Sequence, residues 1–292
     1  MLSFAAAEPF GSPFRKALEN LGYAEGRNVA VVQLAAGGDI ERVALLADEL
    51  VRANVDVIVA NTTPSIQAAM KATVRIPIVM AVAGDALRTG LVTNLARPGG
   101  NVTGLSLALV DLAGKSVELL REALPRATRL AALVHSQDPL HREFLAEAES
   151  SAARLGLRFR PAVVGSAKEL DATFQALAAD RAEGMVVQPI FTLDAQTRAA
   201  VARLALWHRI AAVSGLRRFA EAGGLAAYAS EFRDLAGQAA VYVDKILRGA
   251  RPGDLPVEQP TRFELVFNRR TARALGIEIP RALLLRADQV LE

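Results

Sequence analysis

The sequence predicts an α/β protein of two doubly wound, Rossmann-like lobes, each built on a parallel sheet and joined by a hinge of several crossing strands. The length of 292 residues exceeds the roughly 250 at which a single hydrophobic core usually divides. Hydrophobic residues make up 52% of the chain and charged residues 22%, which is enough apolar surface for two packed cores. Short β-branched runs alternate with amphipathic helical patterns, and this alternation restarts after about residue 107.

Five short apolar runs predict the strands of the first lobe. Because polar residues do not alternate within them, they are typical of parallel strands covered on both faces. The runs are Leu2–Ala7, Asn28–Leu34, Val55–Ala60, Ile76–Val82 and Val102–Leu105. Ser12, Asp39 and Thr63 each precede a helical pattern and are expected to cap it. Gly22 predicts a left-handed end to the first helix.

A second series of strands and helices follows the first. Strands are predicted at Arg129–His135, Arg158–Val164, Met185–Gln188, Ala211–Ser214 and Leu225–Tyr228, and a long helix at Phe232–Arg248. The tail adds a strand from Phe263 and two short helices. We expect this extra sequence to cross between the lobes, with residues 1–106 and 226–260 in lobe 1 and residues 107–225 and 261–292 in lobe 2.

Polar loops follow two neighbouring strands of the first lobe, where open α/β sheets bind ligands. After Val55–Ala60 come Asn61, Thr62, Thr63 and Ser65, and after Ile76–Val82 comes Asp85. Backbone N–H groups at a helix start suit a carboxylate, and Asp85 suits an ammonium group, so the ligand class indicated is a zwitterion. The alternative for Thr63 and Asp85 is ordinary helix capping, which needs only one such side chain per helix.

Further candidates follow other strands at the equivalent edge. They are Ser12 in lobe 1, and Gln188, Phe191 and Ser214 in lobe 2, together with Ser136–Asp138, Thr192 and Arg217. Tyr228 and Glu231 are candidates at the point where the chain is expected to cross the hinge again. Phe191 is a candidate for stacking on an aromatic ligand, with core packing as the alternative. For Ser12 the alternative, helix capping, is the favoured interpretation.

Composition argues against several other functions. The net charge of +3 is small, and no basic stripe interleaved with aromatic residues accompanies it, so we expect no nucleic-acid binding. There is no cysteine, and the three histidines are too scattered for a metal-binding helix motif, so we expect no metal and no cofactor. Gly37-Gly38 and Gly99-Gly100 lack the glycine spacing of a dinucleotide site.

Several segments, spread over most of the chain, resemble the TrpX-like branch of the ABC-transporter substrate-binding proteins. They are Leu21–Asn28, Val55–Ala60, Gly90–Val92, Leu95–Gly104, Phe219–Gly224, Tyr242–Leu247 and Leu255–Thr261. The most specific is the run Ala96-Arg97-Pro98-Gly99-Gly100-Asn101-Val102-Thr103-Gly104. The resemblance implies a type I periplasmic-binding-protein fold. It further implies a periplasmic monomer that performs no chemistry and delivers a small molecule to an ABC permease in the inner membrane, with an export signal expected outside this sequence.

We therefore expect a solute-binding protein that closes by a hinge on an amino acid, an aromatic one or a related carboxylate, held in a cleft between the lobes. One alternative is the ligand-sensing domain of a LacI-type regulator, which would need a helix-turn-helix segment before Leu2. Another is an enzyme that uses the cleft, such as a racemase or a glycosyltransferase-like protein. That alternative needs paired acid and base groups across the cleft, and no cysteine pair exists to serve a cofactor-independent racemase.

Overall fold

The chain forms two α/β units, each with its own sheet. A computed structural model describes residues 1–4, 10–230 and 235–292. Unit 1 comprises Met1–Ala108 and Phe232–Pro260, and unit 2 comprises Leu109–Glu231 and Thr261–Glu292. The predicted α/β class, with a sheet of parallel strands in each lobe, is confirmed.

Unit 1 contains a five-stranded sheet in which every pairing is parallel. Its strands are β1 (Leu2–Ser3), β2 (Leu34–Ala35), β3 (Ile58–Asn61), β4 (Ile78–Ala83) and β5 (Val102–Ser106). Their order, β2-β1-β3-β4-β5, is that of a doubly wound sheet, which reverses its winding direction between β1 and β3. The register shifts at Ala60/Asn61 and again at Met80/Ala83, so the pairing becomes irregular at the carboxyl ends of β3 and β4.

Unit 2 repeats this order and extends it. The strands are β6 (Arg129–His135), β7 (Arg158–Val164), β8 (Gly184–Val187), β9 (Ala211–Ser214), β10 (Ala226–Ser230), β11 (Phe263–Asn268) and β12 (Gln289–Leu291). The sheet order is β12-β11-β10-β9-β8-β6-β7, so winding reverses between β6 and β8. Only the β10–β11 pair is antiparallel among the described strands.

The helices cover the sheets and bury apolar faces against them. They are α1 (Gly11–Asn20), α2 (Ile40–Arg52), α3 (Thr63–Ala72), α4 (Leu109–Ala123), α5 (His141–Arg154), α6 (Leu170–Ala179), α7 (Ile190–Leu193), α8 (Ala195–Trp207), α9 (Arg217–Glu221), α10 (Leu235–Leu247), α11 (Arg269–Leu275) and α12 (Arg281–Arg286). In unit 1, α10 packs Ala239 and Tyr242 against Phe14 of α1 and Val79 of β4. None of the helices within the described residues has the length and apolar character needed to cross a membrane.

Several predicted element boundaries are wrong in unit 1. The second strand was expected from Asn28, but Val29 instead closes a local turn by accepting a hydrogen bond from the N–H of Gly26 (2.9 Å). Pairing with β1 begins only at Leu34. The first helix starts before the expected cap, Ser12, because Phe10 occupies the N-cap position and stacks on Phe14 one turn later. Residues 5–7 of the first predicted strand lie outside the described residues.

Two differences concern unit 2. Ala226–Ser230, predicted to lie in lobe 1, pairs with β9 on one side and β11 on the other, and so belongs to the sheet of unit 2. The tail also ends in a strand that was not predicted, β12, which pairs with β11 through Val266 and Gln289. Phe232, the expected start of the long helix, lies outside the described residues.

Candidate functional site

Asn61 occupies the point where the winding of the unit 1 sheet reverses. It is the last residue of β3, beside the carboxyl end of β1, and open α/β sheets place their ligands at this switch point. Its side-chain Oδ1 atom is buried and has no hydrogen-bond partner among the described residues. A buried acceptor without a donor costs free energy, about 1–3 kcal/mol, which a ligand that donates a hydrogen bond would recover.

Thr62 follows Asn61 in a strained backbone conformation. Its φ of 84° and ψ of 150° lie outside the regions that a β-branched residue normally adopts. Such strain costs on the order of 1–3 kcal/mol and is concentrated at ligand-binding positions. The backbone N–H of Thr62 donates to the carbonyl of Val82 (3.0 Å), and its hydroxyl lies 3.4 Å from that of Ser65. These contacts hold the loop against β4 and the first turn of α3.

The first turn of α3 presents several hydrogen-bond donors. The expected N-cap role of Thr63 is wrong: Thr62 is the N-cap residue, and the Thr63 hydroxyl instead accepts a hydrogen bond from the N–H of Gly84 (3.0 Å). Pro64 has no N–H, and the N–H of Ile66 donates to the carbonyl of Thr62. The N–H groups of Thr63 and Ser65 therefore remain without a partner among the described residues, at the positive end of the helix dipole.

The loops after β4 and β5 are joined to the same site by hydrogen bonds. Asp85 is buried, and its Oδ1 accepts from the N–H of Arg88 (3.0 Å) while its Oδ2 lies 3.4 Å from the guanidinium Nε of that residue. The hydroxyl of Ser106 accepts from the N–H of Ala86 (2.9 Å). Asp85 thus organises its own turn. Ser106 was not predicted, although a hydroxyl that ends a buried strand is a signal the sequence contains.

The equivalent switch point of unit 2 brings together Gln188, His135 and Phe191. The Oε1 atom of Gln188 accepts a hydrogen bond from the N–H of His135 (2.9 Å), which ties the end of β6 to that of β8. The ring of Phe191 lies 5.5 Å from the His135 ring, between centroids, and is 3% exposed. Both predicted residues thus lie at the expected edge.

Ser214 and Tyr228 lie on the strands beyond this point. The Ser214 hydroxyl donates to the carbonyl of Val187 (2.9 Å), so it bridges β9 and β8. Tyr228, on β10, stacks on Phe263 with ring centroids 5.7 Å apart. Ser230 was not predicted, and its buried Oγ atom has no hydrogen-bond partner among the described residues. It ends β10 as Asn61 ends β3, and a polar residue at the end of an apolar run was again the available signal.

The loop after β6 carries titratable groups in a low-dielectric setting. Burial raises the pKa of Asp138 to about 6, although its carboxylate accepts a hydrogen bond from the N–H of Leu140 (2.8 Å). Burial also lowers the pKa of His135, whose Nδ1 accepts from the N–H of Gln137 (3.3 Å). Both groups are thereby shifted towards their neutral forms.

The remaining candidates do not join these clusters. Ser12 is exposed on α1, one residue after the helix begins. Thr192 donates to the carbonyl of Pro189 (2.8 Å), and Arg217 pairs with Glu221 (2.8 Å). Glu231 lies outside the described residues. Within the residues that the structure describes, no three His, Cys, Asp or Glu side chains are grouped so that they could hold a metal ion.

The chain is similar in sequence to known proteins. The sequence pattern of the family described as "ABC transporter substrate binding protein" matches residues 6–291. The "Tyrosine-binding protein" of Clostridioides difficile (strain R20291) is 27% identical over 266 residues, which cover 91% of this chain and 76% of that protein. The resemblance inferred from the sequence motifs is therefore confirmed.

Two solved structures show the same fold at similar identity. A conserved domain protein from Vibrio cholerae is 28% identical with a TM-score of 0.89, over 99% of this chain and 98% of that one. The ABC domain in complex with L-Trp from Streptococcus pneumonia is 27% identical with a TM-score of 0.89, over the same shares of the two chains. With the family match extending over residues 6–291, these likenesses establish that the chain belongs to the ABC-transporter substrate-binding protein family, whose members capture a small molecule for a membrane permease.

Proposed function

We propose that this protein binds an aromatic amino acid at the carboxyl ends of its parallel strands. The observation that carries the proposal is the buried, unpartnered Oδ1 atom of Asn61 at the switch point of unit 1. It lies in the same loop as the unpartnered N–H groups of Thr63 and Ser65. An acceptor and two donors within five residues are complementary to the ammonium and carboxylate groups of an α-amino acid.

The carboxylate of the ligand would bind the start of α3. Its negative charge would accept hydrogen bonds from the N–H groups of Thr63 and Ser65, supported by the helix dipole. The hydroxyl of Thr63, which already accepts from Gly84, still has its own proton to donate. This arrangement gives the strained backbone at Thr62 a role. The strained conformation turns the chain out of β3 and orients the first N–H groups of α3 for the ligand.

The ammonium group of the ligand would donate to Asn61. A charge-assisted hydrogen bond to that oxygen contributes about 1.5–3 kcal/mol, more than a neutral one. The Asp85 carboxylate would attract the ammonium group at longer range. It would not bind that group directly, because it is already paired with Arg88. For unit 2, we propose ligand contacts from Ser230, Tyr228 and the Gln188–Phe191 loop at its own strand ends.

The aromatic character of the ligand is inferred from relatives. One is called a tyrosine-binding protein, and another was solved with L-Trp. Proteins of this family work outside the cytoplasmic membrane with an ABC permease, and we place this chain in the periplasm, as a monomer that binds no nucleic acid. We also propose that it releases its ligand chemically unchanged.

Isothermal titration calorimetry with matched ligands tests the proposal. L-Tyr, L-Trp and L-Phe are titrated beside tyramine, which lacks the carboxylate, and 3-phenylpropionate, which lacks the ammonium group. We expect at least one amino acid to bind, and each truncated ligand to bind at least about tenfold more weakly, since each lacks a charge-assisted interaction. Equal binding of tyramine or phenylpropionate would refute recognition of the zwitterion. Mass spectrometry of the ligand after incubation would reveal any turnover.

A further inference from the structure

A surface cavity of about 420 Å³ lies in unit 1 beside α1 and α10. It is lined by Ala17, Asn20, Leu21, Gly237, Gln238, Val241, Tyr242 and Glu258. None of these residues belongs to the loops that follow β3, β4 and β5, so the cavity is separate from the amino-acid site proposed above. Its volume falls in the range of small-molecule pockets.

Two side chains that line this cavity, Gln238 and Glu258, offer acceptor oxygens, and Asn20 adds a second amide. The Oε1 atom of Gln238 is buried and has no partner among the described residues, which makes it the only such acceptor among them besides Asn61 Oδ1 and the hydroxyl of Ser230. The Tyr242 hydroxyl donates to the carbonyl of Pro256 (2.5 Å) and lies 3.1 Å from Oε1 of Glu258. Its proton is thus used internally. A ligand reaching Gln238 and Glu258 would have to bring its own donors.

The charge in the cavity is negative. Glu258 is the only charged residue that lines it, and its side chain is exposed at the edge. Burial, followed by the nearby Glu258 carboxylate, raises the pKa of Tyr242, so this phenol stays neutral. Lys245 lies with its ammonium 5.4 Å from the centre of the Tyr242 ring but does not line the cavity.

The remaining walls are apolar. Ala17 and Leu21 come from the last turns of α1, and Val241, which is 40% exposed, comes from α10. Together with the acceptors, they are complementary to a short aliphatic chain that ends in several N–H donors and a positive charge.

We propose that this cavity is a second binding site, for a primary ammonium or guanidinium group on a short alkyl chain. The cation donates to Oε1 of Gln238 and lies near the Glu258 carboxylate, while the alkyl chain covers Leu21 and Val241. Such a group is present both in small amines and in the lysine and arginine side chains of a partner protein. The site does not depend on the amino-acid site described above.

Chemical-shift titrations of the ¹⁵N-labelled protein test this site. The probes are butylammonium, butylguanidinium and, as a neutral control of the same length, butanol. We expect both cations to shift the Gln238 side-chain amide and the backbone amides of α10 with millimolar affinity, as befits ligands this small. Butanol binding as tightly as butylammonium would overturn the proposal, and so would the absence of any shift at a cation concentration of about tenfold the expected Kd.

Two variants separate the role of the acceptor from general effects. Gln238→Met keeps the length of the side chain but removes its oxygen, and it should weaken cation binding about fivefold. Gln238→Glu should strengthen it about fivefold, because an ion pair with the ligand cation replaces a hydrogen bond to a neutral oxygen. Gln196→Met, at an exposed position of α8 in unit 2, is the matched control and should leave binding unchanged. Equal affinity of the wild type and Gln238→Met would refute the assignment even if Gln238→Glu does not fold.

A peptide titration distinguishes the two sources of the cation. An acetylated, amidated Gly-Lys-Gly peptide presents the ammonium on a protein-like side chain. Tighter binding of this peptide than of butylammonium assigns the site to a partner protein, and the reverse assigns it to a small amine. If neither binds, the proposal is wrong.

Discussion

Replacing Asn61 by leucine should stabilise the ligand-free protein and weaken its affinity for ligand. The Oδ1 atom of Asn61 is buried without a donor, so the folded protein bears the cost of desolvating it. An apolar side chain of similar size removes that cost, and we expect the free energy of unfolding to rise by about 1–3 kcal/mol. The variant can no longer accept a hydrogen bond from the ligand ammonium group, so affinity should fall by about tenfold to 150-fold.

The same substitution at Asn101 is the matched control. The Asn101 amide donates to the carbonyls of Thr73 (3.2 Å) and Ile76 (2.8 Å), at the opposite end of the unit 1 sheet. Asn101→Leu leaves those carbonyls without a donor, so it should lower the free energy of unfolding by about 1–3 kcal/mol and leave ligand affinity unchanged.

Urea unfolding followed by circular dichroism measures stability, and calorimetric titration with the amino acid that binds the wild type measures affinity. The expected result is a change of opposite sign in stability for the two leucine variants, with affinity lost only in Asn61→Leu. An Asn61→Leu variant that is less stable than the wild type, or that binds the ligand as tightly, would contradict this prediction.

Two further predictions concern stability. Gly104 has a φ of 127°, and a Cβ placed there would lie 2.3 Å from the carbonyl oxygen of Met80, so Gly104→Ala should lower the free energy of unfolding by about 2–5 kcal/mol. Gly100→Ala is the control, because a Cβ there would have no atom within 4 Å, and equal urea midpoints for the two variants would contradict the prediction. Because burial raises the pKa of Asp138 to about 6, the folded state binds its proton more tightly than the unfolded state and loses stability as pH rises from about 4 to 6. Asp138→Asn should therefore be more stable than the wild type at pH 7 by up to about 3 kcal/mol, with the difference vanishing below pH 4, and a pH-independent difference in unfolding free energy would refute the assignment.

Patterns that repeat within a few residues were predicted well. Arg129–His135 and Ala211–Ser214 have the predicted bounds, because a buried parallel strand requires a nearly uninterrupted apolar run. The edge strand Arg158–Val164 also has the predicted bounds, although it is mostly exposed and contains two arginines. Asp39 caps its helix as expected, accepting from the N–H groups of Glu41 and Arg42. These features depend on neighbours in the sequence, so the sequence alone can show them.

Predictions that depended on a distant partner were less secure. Thr63 is of a residue type that often caps the N-terminus of a helix, but its hydroxyl accepts a hydrogen bond from the N–H of Gly84, which lies 21 residues away. Ser214 was predicted as a ligand contact, and the structure adds that its hydroxyl donates to the carbonyl of Val187 and so bridges β9 and β8. In each case the side chain bonds to a backbone group that is distant in the sequence, and no local pattern reveals that partner.

By itself, the sequence determined the α/β class, the two lobes, the family and the loops that follow the strands, since hydrophobic period and motif are written along the chain. Only the tertiary structure decided that Ala226–Ser230 joins the sheet of unit 2, because strand pairing is set by non-local hydrogen bonds. It also decided which polar side chains have a hydrogen-bond partner, as the hydroxyl of Ser214 does, and which have none among the described residues, as Oδ1 of Asn61 does. Both proposed sites rest on side-chain oxygens that are buried without a hydrogen-bond partner. Burial and hydrogen bonding are set only in the folded protein, so the sequence does not show which oxygens these are.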